Sequence, residues 1–243
     1  MTGPTLLAVA HGSRDPAAKE CVLSLTGRVA RLARGTRVDA AFVQHEKPSL
    51  ATALAGATAE AGADGAVIVP LLLSGGYHLS YDIGVAARAA GVPVAPPLGP
   101  DPRLVCALAD RLDEAGVPGE VPVVLAAAGS RDPRALADAR RQAALLARHR
   151  GTSVVAAFAS AARPTVDEAV TFLADLTGKP VAVAAYLLAP GLFHDQLWLS
   201  SGTWVSAPLG DHSAVADLIV DRFRGVAGQL TAGREALASA PCS

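Results

Sequence analysis

Aromatic residues are scarce in this chain, 4% of 243 residues. A core must therefore be built mostly from Ala, Val and Leu, and an apolar share of 51% is enough for a sizeable one. Cysteine is scarce too. Cys21, Cys106 and Cys242 are odd in number, far apart and form no C-x-x-C pair. This argues against a disulfide framework and for incidental thiols in a reducing compartment. Charge is balanced, with a formal net value of -1. Bulk attraction to nucleic acid or an anionic membrane is thereby excluded. No stretch approaches the ~20 apolar residues of a membrane span. The opening MTGPTLLAVAHG has no basic n-region, and its apolar run is too short for a signal peptide. The expectation is a cytoplasmic protein with no nucleic-acid or membrane partner.

What the chain does have is an internal repeat. AHGSRDP at Ala10–Pro16 returns as AAGSRDP at Ala127–Pro133. VDAAFVQHEKPSL at Val38–Leu50 returns as VVAAFASAARPTV at Val154–Val166. VPLLLSGGYH at Val69–His78 returns as AYLLAPGLFH at Ala185–His194, and PPLGPD at Pro96–Asp101 as APLGDH at Ala207–His212. The offset is 116 to 117 residues for three blocks and 111 for the last. Two related halves follow, 1–118 and 119–243, joined near the Gly- and Pro-bearing EAGVPGEVP at Glu114–Pro122.

Each half alternates continuously apolar runs with helical spacing. In the first, TLLAVA reads as a buried strand and Ala17–Arg34 as a helix with Val22, Leu25, Val29 and Leu32 on one face. Strands are expected at Val38–Val43, Ala66–Leu72 and Val92–Ala95. Helices are expected from Ser49 to Glu60, at His78–Ala90 and at Asp101–Glu114, with Ser49 as a cap. This is an α/β pattern: two similar lobes, each a mainly parallel sheet flanked by helices.

Ligands in such sheets bind beyond the carboxyl ends of the strands. His11 follows the first strand. Gln44, His45 and Glu46 follow the second, and Ser74, Gly75, Gly76, Tyr77 and His78 the third. These loops are expected to converge where the halves face each other. Two imidazoles at strand ends can ligate a metal or move protons near neutral pH, or they can simply hydrogen-bond the backbone. Gly12, Gly75 and Gly76 suit unusual backbone angles and close ligand approach, and Gly75-Gly76 also suits a helix entry. If the second strand extends far enough, Gln44 and Glu46 share one side and His45 takes the other. Pro48 is expected to break the strand nearby.

The second half has Ala128 for His11 and Ala161-Ala162 for His45-Glu46, and keeps only His194 for His78. One centre, mainly from the first half, is expected. The second half supplies a wall or lid, with Arg131, Arg163, Phe193 and Trp198 as candidate contacts. GSRDP recurs without the histidine, so Ser13, Arg14 and Asp15 have a structural reading beside a substrate-binding one. Asp15-Pro16 suits a helix start.

Taken together, AHGSRDP, the F-x-x-x-x-x-P-S-L pattern in FVQHEKPSL, VPLLLSGGYHLSYDI and the PLG before each last helix resemble the sirohydrochlorin chelatases. These are the CbiX/SirB-type branch of the class II tetrapyrrole chelatases. The resemblance covers nearly the whole chain except the tail after about Arg224. It implies a bilobal chelatase fold and insertion of Fe2+ or Co2+ into sirohydrochlorin or a related macrocycle, with no organic cofactor. It implies that His11 and His78 bind the metal and help remove pyrrole protons. Glu46 is a further metal candidate, and Ser13, Arg14, Gln44, His45, Gly75, Gly76 and Tyr77 are candidates for substrate contact. The acidic residue the family often carries after its second strand is Gln44 here. An amide can bind through its carbonyl but cannot accept a proton as a carboxylate does. Arg14, Lys47, Arg131 and Arg163 are candidate donors to a polycarboxylate rim. Fusion of two halves implies a monomer where short family forms pair as homodimers.

Two other enzyme readings fit poorly. A histidine phosphatase needs a dense arginine cluster, and a nucleotide fold needs a Gly-rich loop after the first strand. The substantive alternative is a non-catalytic protein that binds or delivers a metal or tetrapyrrole.

Overall fold

The computed structural model describes residues 3–61 and 65–238, and within them all side chains except those of residues 60, 61, 77–80 and 231–238. The first half runs β1 (Thr5–Ala10), α1 (Pro16–Leu32), β2 (Val38–Phe42), α2 (Leu50–Ala61), β3 (Ala66–Pro70), α3 (Tyr77–Ala90) and α4 (Pro102–Glu114). The second repeats it as β4 (Val123–Ala127), α5 (Pro133–Arg150), β5 (Val154–Phe158), α6 (Val166–Thr177), β6 (Ala182–Tyr186), α7 (Leu192–Leu197), β7 (Trp204–Val205) and α8 (Ser213–Ala238). The sheets have orders β2-β1-β3 and β5-β4-β6-β7, and among the described residues neighbouring strands within them pair in parallel. The expected two-lobed α/β architecture is therefore present.

Side-chain alternation splits each sheet between two cores. Leu6, Ala8 and Ala10 of β1 and Val123, Leu125 and Ala127 of β4 point into one apolar cluster shared by both lobes. Leu7 and Val9 face an outer cluster with α2 and α3, and Val124 and Ala126 face another with α6 and α7. Period-two alternation on fully buried strands thus serves both faces. The shared layer contains α1, α4, α5 and α8. The last helix of each half crosses over: α4 packs against β6 and α8 against β3.

One sequence expectation changes. Val92–Ala95 is not a strand. It makes one bridge, Val94 to Ile68, where Ile68 N–H donates to Pro93 O at 2.9 Å and Ala95 N–H to Ile68 O at 2.8 Å. Pro93 has no N–H, and Pro96-Pro97 follow, so the ladder cannot extend. The run beyond Arg224 continues α8 as far as Ala238. Cys242 lies outside the described residues.

Candidate functional site

The parallel sheet places His11 immediately beyond β1. Its backbone carbonyl accepts from Gln44 N–H at 2.9 Å, which ties the β1 end to the loop after β2. Gly12 has φ +94°, and a Cβ there would overlap the Gln44 carbonyl. Glycine is required by both angle and space. The second lobe copies this frame: Gly129 has φ +96° against the Ser160 carbonyl, and Ala161 at φ +59° matches His45 at φ +63°. The loop conformation was kept where the imidazole and carboxylate were not.

β2 ends at Phe42, so the alternation expected of Gln44, His45 and Glu46 does not apply to them. His45 instead adopts a left-handed backbone. Ser13 Oγ accepts from Asp15 N–H at 3.0 Å, and Asp15 Oδ1 accepts from Ala17 N–H at 2.9 Å ahead of Pro16. Ser130 and Asp132 make the same turn and cap. The GSRDP residues Ser13 and Asp15 therefore build the entry to α1, while Arg14 is exposed.

Gly75 and Gly76 do not use left-handed angles. Gly76 is the N-cap of α3 at φ -62°. Gly75 N–H donates to Asp138 Oδ2 of the other lobe at 3.1 Å. A Cβ at either would meet the other lobe only at ordinary contact distance, 3.7 Å from Asp138 Oδ2 at Gly75 and 3.8 Å from Ser130 Oγ at Gly76, so of the readings offered for the pair it is the helix entry that holds. His78 and Tyr77 fall in the first turn of α3, and their side chains lie outside the described residues.

A cleft of about 270 Å³ opens between the lobes. His11, Gly12, Ser13, Lys19 and Phe42 line it from one side, and the segment Leu187–His194 lines it from the other. Gln44, His45, Glu46, Gly75 and Gly76 stand outside this lining. The wall Leu187–Gly191 is the second lobe's copy of the loop that carries Gly75. The internal alignment could have marked it as the surface facing His11.

Partial burial lowers the His11 pKa from its ordinary value, although the residue keeps an exposed surface. The charge of His45 lowers it further, and Asp82 on α3 opposes both. His11 is thus biased toward the neutral imidazole, whose lone pair can bind a cation or a proton. On the facing wall, His194 Nε2 lies 3.1 Å from Ser206 O. A carbonyl only accepts, so Nε2 carries the hydrogen and Nδ1 keeps the lone pair in the neutral ring. Trp198 stands edge-on to that ring at 6.1 Å, 60% exposed.

Lys19, missed in the sequence, reaches from α1 to Glu46 at 2.7 Å. Of the proposed rim cations, Arg163 is paired with Glu168. Cys21 is no nucleophile: burial first, then Asp211, pushes its thiol up to about 11 against an opposing effect of Arg111. His212 accepts from Ala214 N–H at 3.2 Å and so caps α8. Among the described residues, no group of three or more His, Cys, Asp or Glu side chains is placed to hold a metal ion. No helix of the described residues is long and apolar enough to cross a membrane.

Comparison with known proteins agrees with this fold. The CbiX family model matches residues 5–115 and again 122–226. A sirohydrochlorin cobaltochelatase of Methanosarcina acetivorans is 35% identical over 78 residues, 32% of this chain and 59% of that protein. The match therefore spans about three fifths of that relative's length. A sirohydrochlorin cobaltochelatase of Sulfolobus acidocaldarius is 32% identical over 114 residues, 45% of this chain and 90% of that protein. The structure of SirB from Bacillus subtilis with Fe3+ superposes with TM-score 0.78 at 26% identity, over 95% of this chain and 98% of that one. SirB from B. subtilis subspecies spizizenii in complex with cobalt shares the fold at TM-score 0.78 and 22% identity, over 93% and 96%.

Proposed function

The chain belongs to the CbiX family, and on that premise we propose that it inserts a divalent metal ion, Fe2+ or Co2+, into sirohydrochlorin or a closely related polycarboxylate tetrapyrrole. The observation that carries this reading is the inter-lobe cleft, with an imidazole biased toward neutrality on one side and an apolar wall on the other. The apolar wall suits the face of a macrocycle, and His11 suits the ion that must meet its nitrogens.

Charge balance sets the chemistry. A divalent ion enters the ring as two pyrrolic protons leave. His11 and His78 hold the incoming ion and relay protons, with Glu46 as a further oxygen donor. This ligation has to be loose, because a closed four-ligand site would retain the ion. Ser13, Arg14, Gln44, His45, Gly75, Gly76 and Tyr77 contact the ring or its carboxylates. The lobe 1–118 carries the main site and 119–243 closes over it. Both lobes in one chain act as a cytoplasmic monomer.

The test is anaerobic absorbance of metal-free sirohydrochlorin at substoichiometric protein, with Fe2+ and Co2+ in separate runs and spontaneous insertion subtracted. Repeated turnovers above background, lost in His11→Ala/His78→Ala, are expected. A spectral change that stops at one ring per protein would replace the enzyme with a carrier. Gln44, where the family often has a carboxylate, is the residue that favours that second reading.

A further inference from the structure

The two lobes share a frame but differ in a few side chains, and the difference is informative. In both lobes the turn into the first helix, the left-handed residue after the second strand and the helix cap are the same. Four first-lobe residues become apolar in the second: His11 is Ala128, Lys19 is Leu136, His45 is Ala161 and Glu46 is Ala162. Leu136 and Ala162 pack against the shared core. The frame therefore holds without an ion pair at this point. Lys19–Glu46 is found only in the lobe that carries the strand-end histidine.

The pair sits where a substrate would compete for it. Lys19 is a charged lining residue of the cleft. Its side chain is about a third exposed and that of Glu46 is more enclosed, 36% against 17%. Glu46 directly follows His45, whose charge acts on His11. An ion pair this open to water contributes little to stability and exchanges partners readily.

We propose that Lys19 is the anchor for a carboxylate of the ring, with Glu46 as its resting counter-ion. Ring binding replaces Glu46 on Lys19 and frees the Glu46 carboxylate next in sequence to His45, whose charge acts on His11. The freed group then supplies the negative charge that Gln44 lacks, and it does so only when a ring is present to receive the ion. This deepens the chelatase reading and rests on it. No covalent bond is made or broken; one carboxylate exchanges for another on the same ammonium.

The test uses the full chain and the variants Lys19→Gln, Lys19→Arg, Glu46→Gln and Lys19→Gln/Glu46→Gln. Two quantities are read: kcat and KM for sirohydrochlorin, and Co2+ affinity of the ring-free protein by titration calorimetry. Lys19→Gln is expected to raise KM about tenfold, the scale of one lost charge-assisted contact, with a much smaller change in kcat. Lys19→Arg should recover most of the loss. Ring-free Lys19→Gln should bind Co2+ several-fold more tightly than the wild type, and the double variant should lose that gain. If Lys19→Gln and Glu46→Gln only lower the thermal midpoint together, with KM and Co2+ affinity unmoved, the pair is structural and the proposal is wrong. Failure of the wild type to bind or metallate the ring overturns the chelatase reading instead. The Co2+ titration needs no ring, so there an unchanged affinity in Lys19→Gln still overturns the masking of Glu46, and a rise supports it.

Discussion

Arg111 and Arg222 are equivalent residues of the two repeats, and each reaches across to hold the other lobe. Arg111 donates from Nε to Pro208 O at 3.0 Å and from Nη2 to Leu209 O at 3.1 Å. Arg222 donates from Nε to Pro97 O at 3.1 Å and from Nη2 to Leu98 O at 3.2 Å. The guanidinium fork suits two adjacent carbonyls. The crossing of α4 and α8 is thereby locked at both ends.

The two locks are unequal in strength. Arg222 also holds Asp101 at 3.1 Å, whose side chain is mostly enclosed. Arg222→Met strips two carbonyls and one carboxylate of a charged donor and should cost about 3 kcal/mol. Arg111→Met strips two carbonyls and an exposed contact to Glu114 and should cost about 2 kcal/mol. Urea unfolding of the two variants measures this. Equal, negligible losses would mean that apolar packing alone joins the lobes.

Asp101 gives the joint an acid limit. Burial raises its pKa, but the side-chain and backbone hydrogen bonds to Arg103, with the charges of Arg103 and Arg222, outweigh burial and hold it below the ordinary value. A depressed carboxyl contributes stability above its unfolded pKa, near 3.9, and loses it as pH falls through the lower folded value. Unfolding free energy should therefore drop below about pH 4. In Arg222→Met that drop should be shallower, because part of the depression is gone. Urea midpoints between neutral pH and pH 3 would show an unaltered slope if Arg103 alone sets the carboxyl.

Gly12 and Gly129 separate frame from chemistry. Alanine at either position meets a carbonyl oxygen and a left-handed φ. Each substitution should cost about 3 kcal/mol or shift the facing loop, from steric overlap and strain combined. Gly12→Ala moves the loop of Gln44 and His45, so metal insertion should fall with stability. Gly129→Ala moves the loop of Ser160 and Ala161 and should spare insertion in the protein that remains folded. Activity per folded molecule, measured beside thermal unfolding, distinguishes the two.

Much of this was legible in the sequence because the repeat doubled each signal. The apolar runs marked β1 and β4, Asp15-Pro16 marked the start of α1, and the histidine after TLLAVA marked one side of the cleft. Two things were hidden. One was the exchange of α4 and α8 between lobes, since an amphipathic helix looks the same whichever sheet it covers. The other was Lys19, which in sequence is one lysine on an exposed helix turn. Only the three-dimensional approach of α1 to the loop after β2 brings it to Glu46. Gly75 and Gly76 were read for backbone freedom, close ligand approach or helix entry, and the helix entry is what the structure uses; the bond from Gly75 N–H to Asp138 of the other lobe is a contact that a linear pattern does not contain.

His11 offers a titration that needs neither ring nor metal. Desolvation lowers its pKa first, the His45 charge lowers it next, and Asp82 raises it. Its midpoint, followed by imidazole NMR, should lie below the ordinary value of about 6.5. His45→Ala should move it up and Asp82→Asn should move it down. The linked stability is fully present above the unfolded midpoint and is lost as pH falls through the folded one, because the unfolded imidazole takes its proton first. Within that window His11 is more often neutral in the folded chain than a free imidazole is, so its lone pair is the more available of the two in mildly acid solution. A midpoint at or above the ordinary value would mean that water reaches the ring freely and that the cleft does not favour its neutral form.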